Sequence, residues 1–260
     1  MDLNLRDRII LVSGGSRGIG EAIVRVLSSE GATPVIISND ADGNATVLES
    51  IRQQSPGSTA WVAELTDPEA CKQAVEQVLE HYGRLDGLVN NAGINDKIGL
   101  EHGDYERFNA SLHRNLVHYY LLAHHALPAL KASSGAIVNI VSKTAETGQG
   151  GTSAYAAANG GRSALTREWA VELLPYGIRV NAVVVAECYT PLYESWMNSF
   201  PDPAEKLKQI TARIPLGKRM TTGAEIADAV AFLLSDRSGH TTGQLLHVDG
   251  GYVHLDRAIS

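Results

Sequence analysis

The chain has 260 residues, 44% of them hydrophobic, and a formal net charge of −7 with a pI near 5.7; this acidic balance excludes a general nucleic-acid binder, because no basic stripe is available to neutralise phosphates. Cys71 and Cys188 are too few and too far apart for a zinc cluster or a disulfide framework, so both read as packing residues in a reducing compartment, and no metal centre is expected. The first thirty residues hold no signal-peptide core and no apolar run approaches the roughly 18 residues that cross a bilayer, so the expectation is a soluble cytoplasmic protein with no membrane partner.

From the N-terminus, Arg8 to Ser13 is a short apolar run that flows into Gly14-Gly15-Ser16-Arg17-Gly18-Ile19-Gly20. Ala22, Ile23, Val26 and Leu27 then recur at helical spacing. Glycines at 14, 18 and 20 between a strand and a helix allow a tight turn and close approach of backbone N–H groups to a pyrophosphate. Thr33 to Ser38 reads as a second buried strand, and further strands are expected near 59–65, 85–90, 136–141, 177–184 and 244–248. The stretches between them predict helices near 18–30, 41–54, 67–82, 104–131, 152–174 and 223–235. Right-handed crossovers turn this alternation into a single-domain α/β, Rossmann-type doubly wound parallel sheet over 1–260, flanked by helices on both faces. Within 190–221, Trp196, Phe200, Leu207 and Ile210 are amphipathic but Pro191, Pro201, Pro203 and Pro215 interrupt them, which predicts a short helical insertion serving as a lid.

Several landmarks now stand in order: the glycine loop at 14–20, Asn90-Asn91-Ala92-Gly93, Asn115, Ser142, Tyr155 thirteen residues later, Asn181-Ala182, and Val248-Asp249-Gly250-Gly251. In this order and spacing the chain resembles the short-chain dehydrogenases/reductases over essentially its whole length. The resemblance implies an NAD(P)-dependent dehydrogenase in which Ser142 holds the substrate oxygen, Tyr155 transfers the proton, and Asn115 holds a water in the relay. It also implies that the cofactor is held by Gly14, Ser16, Arg17, Gly18, Ile19, Gly20, Ser38, Asn39, Glu64, Leu65, Asn91, Ala92, Gly93, Tyr155, Asn159 and Thr190. Members that use NAD usually carry an aspartate where Ser38 stands. Its absence removes the repulsion toward a 2′-phosphate that Arg17 can pair with, so NADP is slightly favoured over NAD, although Asp40 and Asp42 pull the other way.

The family's catalytic lysine is missing, and Asn159 stands in its place. Residues four apart on a helix share a face, so Asn159 is expected one turn from Tyr155, facing the same cleft. A free phenol has a pKa of about 10, and loss of a cation that lowers it by two to three units costs roughly 3–4 kcal/mol, on the order of a hundred- to a thousandfold in rate. Lys143 directly follows Ser142 and is directed to the other side of an extended backbone, and Arg162 lies seven residues beyond Tyr155, so neither is expected to compensate. Glu64 replaces an adenine-side aspartate with no change of charge. Val185 and Ala186 stand where the family has Pro-Gly, a change expected to loosen the loop that frames the nicotinamide.

A narrower resemblance to the L-fucose dehydrogenase branch of the sugar dehydrogenases rests on Ser142-Lys143-Thr144-Ala145, Thr147-Gly148-Gln149-Gly150, the segments 186–193 and 251–258, and His118-Tyr119-Tyr120. It implies oxidation of the anomeric carbon of an aldose such as L-fucose to the lactone, or of another polyol or sugar acid. Asn95, Ser142, Lys143, Gln149, Tyr155 and Glu187 are expected to surround the sugar with donors and acceptors. Two classes of function stay open: a dehydrogenase slowed by Asn159, and a non-catalytic cofactor- or sugar-binding protein on the same fold. The first is favoured because Ser142, Tyr155 and Asn115 are all present. A homotetramer is implied by the family, and Leu116, Leu121, Leu122, Ala123, Ala164, Leu165, Trp169 and Ala170 exceed what one sheet-facing stripe needs. The tail from Tyr252 to Ser260, with Leu255 and Ile259, is expected to pack over a subunit boundary and to close the sugar pocket with His254 or Arg257.

Overall fold

Ile9–Ser13 (β1) is buried at every residue, as a strand covered on both faces must be. In the computed structural model, which describes residues 2–255, β1 lies inside a seven-stranded sheet with Thr33–Ser38 (β2), Thr59–Val62 (β3), Gly87–Asn90 (β4), Ala136–Ser142 (β5), Arg179–Val185 (β6) and Leu245–Val248 (β7). Neighbours are parallel throughout, in the order β3-β2-β1-β4-β5-β6-β7. This is the expected Rossmann-type doubly wound sheet.

Because successive strand residues point to opposite faces, β1 alone feeds two cores. Ile10 and Val12 pack with Ile23, Val24 and Leu27 of Gly18–Ser29 (α1), Val47 of Ala41–Ile51 (α2) and Val230 of a later helix, Gly223–Leu234. Leu11 packs on the other face with Val75 and Val78 of Pro68–Tyr82 (α3), and with Leu122 and Trp169 of two helices described below. Both cysteines are buried; burial first, then nearby carboxylates, pushes the thiols of Cys71 and Cys188 up to about 12 and about 11, as inert packing residues.

Local differences from the sequence reading have physical causes. The stretch expected as one helix over 104–131 is Tyr105–Leu112 (α4), a π turn at His113–Val117, and His118–Ser133 (α5); one residue inserted into the helical ladder leaves the apolar period nearly unchanged. After Ser153–Glu172 (α6), two of the prolines taken as breaks instead start helices, at Pro191–Met197 (α7) and Pro203–Thr211 (α8). A helix leaves its first N–H groups without intrahelical partners, so proline costs nothing there. The strand expected over 59–65 stops at Val62. Val185 does not loosen the end of β6: it pairs with Ser142 on one side and Val248 on the other and is buried. Gly223–Leu234 (α9) completes the first layer, packing on α1. Among the described residues, no helix is long and apolar enough to cross a membrane.

The chain order reverses between β1, whose neighbours run outward to β2 and β3, and β4, which leads to β5, β6 and β7. Such a switch point opens a crevice beyond the strands' carboxyl ends. Its two lips are tied together, because Asn91 Nδ2 donates to the carbonyls of Ser13 and Gly14 at 3.0 and 3.1 Å, and Ser13 Oγ accepts from the N–H groups of Asn91 and Ala92. A Cβ on Gly20 would lie 2.0 Å from the Gly14 carbonyl oxygen and 2.6 Å from Asn91 Nδ2, so this staple leaves room only for glycine.

Candidate active site

The crevice is a cleft of about 540 Å³. Gly14, Ser16, Arg17, Gly18, Ile19, Gly20, Ser38, Asn39, Glu64, Leu65, Asn91, Ala92, Gly93, Tyr155 and Thr190 line it, together with Ser142 and Asn95. Asn159 does not. Helix α1 begins at the cleft with no side-chain cap from Arg17, so its first N–H groups are left for an anionic ligand. That uncapped start and the Gly20 cradle fit the pyrophosphate of a dinucleotide.

At the tip of β2, Ser38 Oγ donates to Asn44 Oδ1 at 2.8 Å and accepts from the Asp40 N–H at 3.1 Å. The Asp40 carboxylate caps α2 through the Gly43 N–H. Asn39 Nδ2 donates to Glu64. Burial pushes the Glu64 carboxyl up, but the hydrogen bonds from Asn39 and Thr66, with Arg114 nearby, outweigh it and hold the group below the usual carboxylate range.

Asn159 faces inward rather than into the cleft. It is fully buried, its Oδ1 accepts from the Ser142 N–H at 2.9 Å and from Arg162 Nη1 at 3.2 Å, and its Nδ2 donates to the Tyr155 carbonyl at 2.8 Å. A short amide on this turn reaches only the end of β5 and its own helix, where it finds backbone partners. Asn115 is fully buried and is absent from the cleft lining: its Oδ1 accepts from the Ile94 N–H, its Nδ2 donates to Ser111 Oγ, and its carbonyl accepts from Arg162 Nε at 2.6 Å.

Arg162, set two turns away by spacing alone, reaches the cleft wall. Helical side chains lean toward the N-terminus, a direction that spacing does not show. By contrast Lys143 and Glu187 pair with each other; Tyr193 OH donates to Glu187 at 2.9 Å, and the Lys143 ammonium lies 4.0 Å from the centre of the Tyr252 ring. Burial, then the Glu187 carboxylate, pushes the Tyr193 phenol up. Neither Lys143 nor Glu187 lines the cleft, and Gln149 is exposed and also off its wall, so of the expected sugar ligands the cleft gathers Asn95, Ser142 and Tyr155. The sequence reading does not single out Thr66, Ile94 or Arg114, and gives His118 and Cys188 no place in the site; all five are on the cleft wall, His118 following directly on the π turn.

His254 packs its ring 4.3 Å from that of His247, beside Glu146, rather than at the cleft. These three residues bring ligand atoms within 4.8 Å of one another, a grouping that no motif marked. Leu255 is exposed; Arg257 and Ile259 lie outside the described residues.

A family model described as enoyl-(acyl carrier protein) reductase matches residues 14–253. L-fucose dehydrogenase of Bos taurus is 36% identical over 246 residues, 94% of this chain and 88% of that protein. The crystal structure of Cj0485 dehydrogenase superposes with a TM-score of 0.95 at 42% identity, covering 99% of this chain and 98% of the other. Ligand-free aldohexose dehydrogenase of Thermoplasma acidophilum gives a TM-score of 0.89 at 30% identity, with coverage of 99% and 98%.

His118 gives this wall a measurable signature. Its Nε2 sits 3.0 Å from the Arg114 carbonyl and therefore carries the proton, leaving Nδ1 unprotonated and without a partner. Burial first, then Arg162, drives its pKa down to about 3, against weaker opposition from the Arg114 carbonyl and Glu64. In the unfolded chain the imidazole titrates near 6.5, so as pH falls through that value the unfolded state binds a proton that the native state refuses until about pH 3. The stability this group contributes is present above pH 6.5 and lost progressively below it. Urea unfolding at pH 7 and pH 5 should show the gap between the protein and His118→Gln narrowing by about 2 kcal/mol at the lower pH; an unchanged gap means that the native histidine protonates normally.

Proposed function

The chain belongs to the short-chain dehydrogenase/reductase family, and we propose that within it the protein is an NAD(P)-dependent sugar dehydrogenase that oxidises the anomeric carbon of an aldose such as L-fucose to the lactone. The observation that carries this reading is one cleft whose walls join the glycine loop and uncapped α1 to Ser142 and Tyr155. The relatives named for L-fucose and aldohexose oxidation support a free sugar as substrate.

Each residue has a task that its contacts permit. Ser142 Oγ accepts from the Thr144 N–H at 3.3 Å, which leaves its own proton to donate to the substrate oxygen. Tyr155 takes the proton of the anomeric hydroxyl as general base. A nicotinamide cofactor held by the glycine loop and the start of α1 would supply the hydride acceptor for that carbon. Asn95 lines the cleft, where its amide would pair a sugar hydroxyl, and Ala92 and Gly93 line the same wall. In a single-turnover panel of aldoses with both cofactors, L-fucose or a close stereochemical relative should give lactone. Tyr155→Phe should cut turnover by on the order of 10²-fold or more with cofactor affinity retained. Cofactor binding without oxidation of any aldose would instead identify a binding protein.

NADP is the cofactor we favour. Position 38 carries no carboxylate, Asp40 is engaged as a helix cap, Glu64 is paired with Asn39, and the exposed Arg17 lines the cleft as a partner for a 2′-phosphate. Ser38→Asp should move the NAD/NADP preference toward NAD by about tenfold or more, read from the two dissociation constants; an unchanged ratio removes this assignment.

We propose a homotetramer built on α5 and α6. Leu122, Ala123, Trp169 and Ala170 are already buried within the chain, so the assembly rests on outward groups such as Tyr120 and Val171, which are 50% and 67% exposed. Sedimentation at micromolar concentration should give four times the chain mass, and a monomer overturns it.

A further inference from the structure

Arg162 is only 3% exposed, and a guanidinium is seldom buried without a carboxylate to pair it. Its described partners are instead neutral: Nε donates to the Asn115 carbonyl at 2.6 Å, Nη1 to the Ile140 carbonyl and to Asn159 Oδ1, both at 3.2 Å, and the plane lies 4.2 Å from the centre of the Tyr119 ring. Nη2 is buried and has no partner. A charge held solely to brace the fold would have every donor satisfied. Here one donor stays open on a side chain that forms part of the cleft wall.

The surroundings are shaped around this group. A Cβ on Gly93, itself a lining residue, would stand 2.8 Å from Nη2 and 2.9 Å from Asn115 Oδ1. Position 93 must therefore lack a side chain for the guanidinium to sit where it does. Tyr155, Asn159 and Arg162 fall on successive turns of one α6 face, and the long arginine leans back along that face toward Tyr155. Asn159, on the turn between, fixes Nη1. Lys143 cannot serve instead, since its ammonium is paired with Glu187.

We propose that Arg162 is the cation of this active site, supplied seven residues beyond Tyr155 rather than four, with Asn159 as the bracket that aims it and the open Nη2 directed to the nicotinamide-side ribose of the cofactor. The proposal rests on the dehydrogenase reading above and changes one part of it: Asn159 is no lesion, because the charge has moved to a neighbouring turn.

ADP-ribose carries the second ribose and ADP lacks it, so the pair isolates the contact without any turnover. Calorimetry should show Arg162→Met weakening ADP-ribose and the full dinucleotide by about tenfold or more, the size of one lost charge-assisted hydrogen bond, while ADP binds as before. Unchanged ADP binding also certifies the fold; should Arg162→Met fail that control, Arg162→Lys is the variant to compare, with ADP-ribose affected and ADP not. In turnover, Asn159→Lys alone should lower the rate, because it crowds two cations into one space, and adding Arg162→Val should restore it to within about tenfold of the starting protein. Equal binding of ADP-ribose by the protein and the Arg162 variant, or a rise in turnover on Asn159→Lys alone, overturns the proposal. If the binding contrast holds and no aldose is oxidised, the sugar dehydrogenase reading fails and the assignment of Arg162 stands.

Discussion

The site depends on the lateral pairing of β1 with β4. Two parallel strands that send their following connections to opposite faces cannot both be covered at their carboxyl ends, and the gap between those connections is the cleft. What keeps the gap at a working width is polar: the Asn91 amide and the Ser13 hydroxyl tie the loop after β4 to the loop after β1 with four hydrogen bonds. The glycine at position 20 is a consequence of that tie, since it passes under the Gly14 carbonyl with no space for a methyl group.

β5 extends the same logic to the chemistry. It pairs with β4 on one side and β6 on the other, and delivers Ser142 to the cleft at its last residue. The turn that follows would leave the Ser142 N–H unpaired, and Asn159 accepts from it. A serine on a strand and a tyrosine on a helix are thus positioned by one amide, whose other end holds the Tyr155 carbonyl. Asn90, Asn139, Thr166 and the Arg162 carbonyl continue this polar line through the interior, each donating to the next. Buried hydrogen-bonded chains of this kind fix the relative placement of the elements they join, because any slip leaves a polar group without a partner.

What the sequence revealed follows the range over which its signals act. Glycine spacing, strand runs and the order of landmarks are local or ordinal, so the sheet, the glycine loop and most of the residues that line the cleft are legible in the sequence. A π turn adds one residue without disturbing the apolar period, so the break at His113–Val117 was hidden, and with it the placement of His118. Lys143 and Glu187 lie 44 residues apart and their mutual neutralisation depends on β5 and β6 being neighbours. Read singly, both looked like sugar ligands. Pro191 and Pro203 looked like interruptions because a proline's meaning depends on whether a helix starts at it.

Position 159 carries an amide where the family has a lysine. Asking what stands four residues after Tyr155 treats a catalytic cation as a position in the chain, whereas the cofactor meets only a charge in space. A long side chain seven residues on can reach toward the same region as a lysine four residues on, since both lean toward the start of the helix. The two arrangements exclude each other. A lysine at 159 beside the present Arg162 would place two buried cations together, and neither residue alone could change to the family pattern without passing through a site with two charges or none. Asn159 is then the residue that the arginine arrangement requires: small enough to vacate the space, and with an oxygen to hold Nη1 at 3.2 Å.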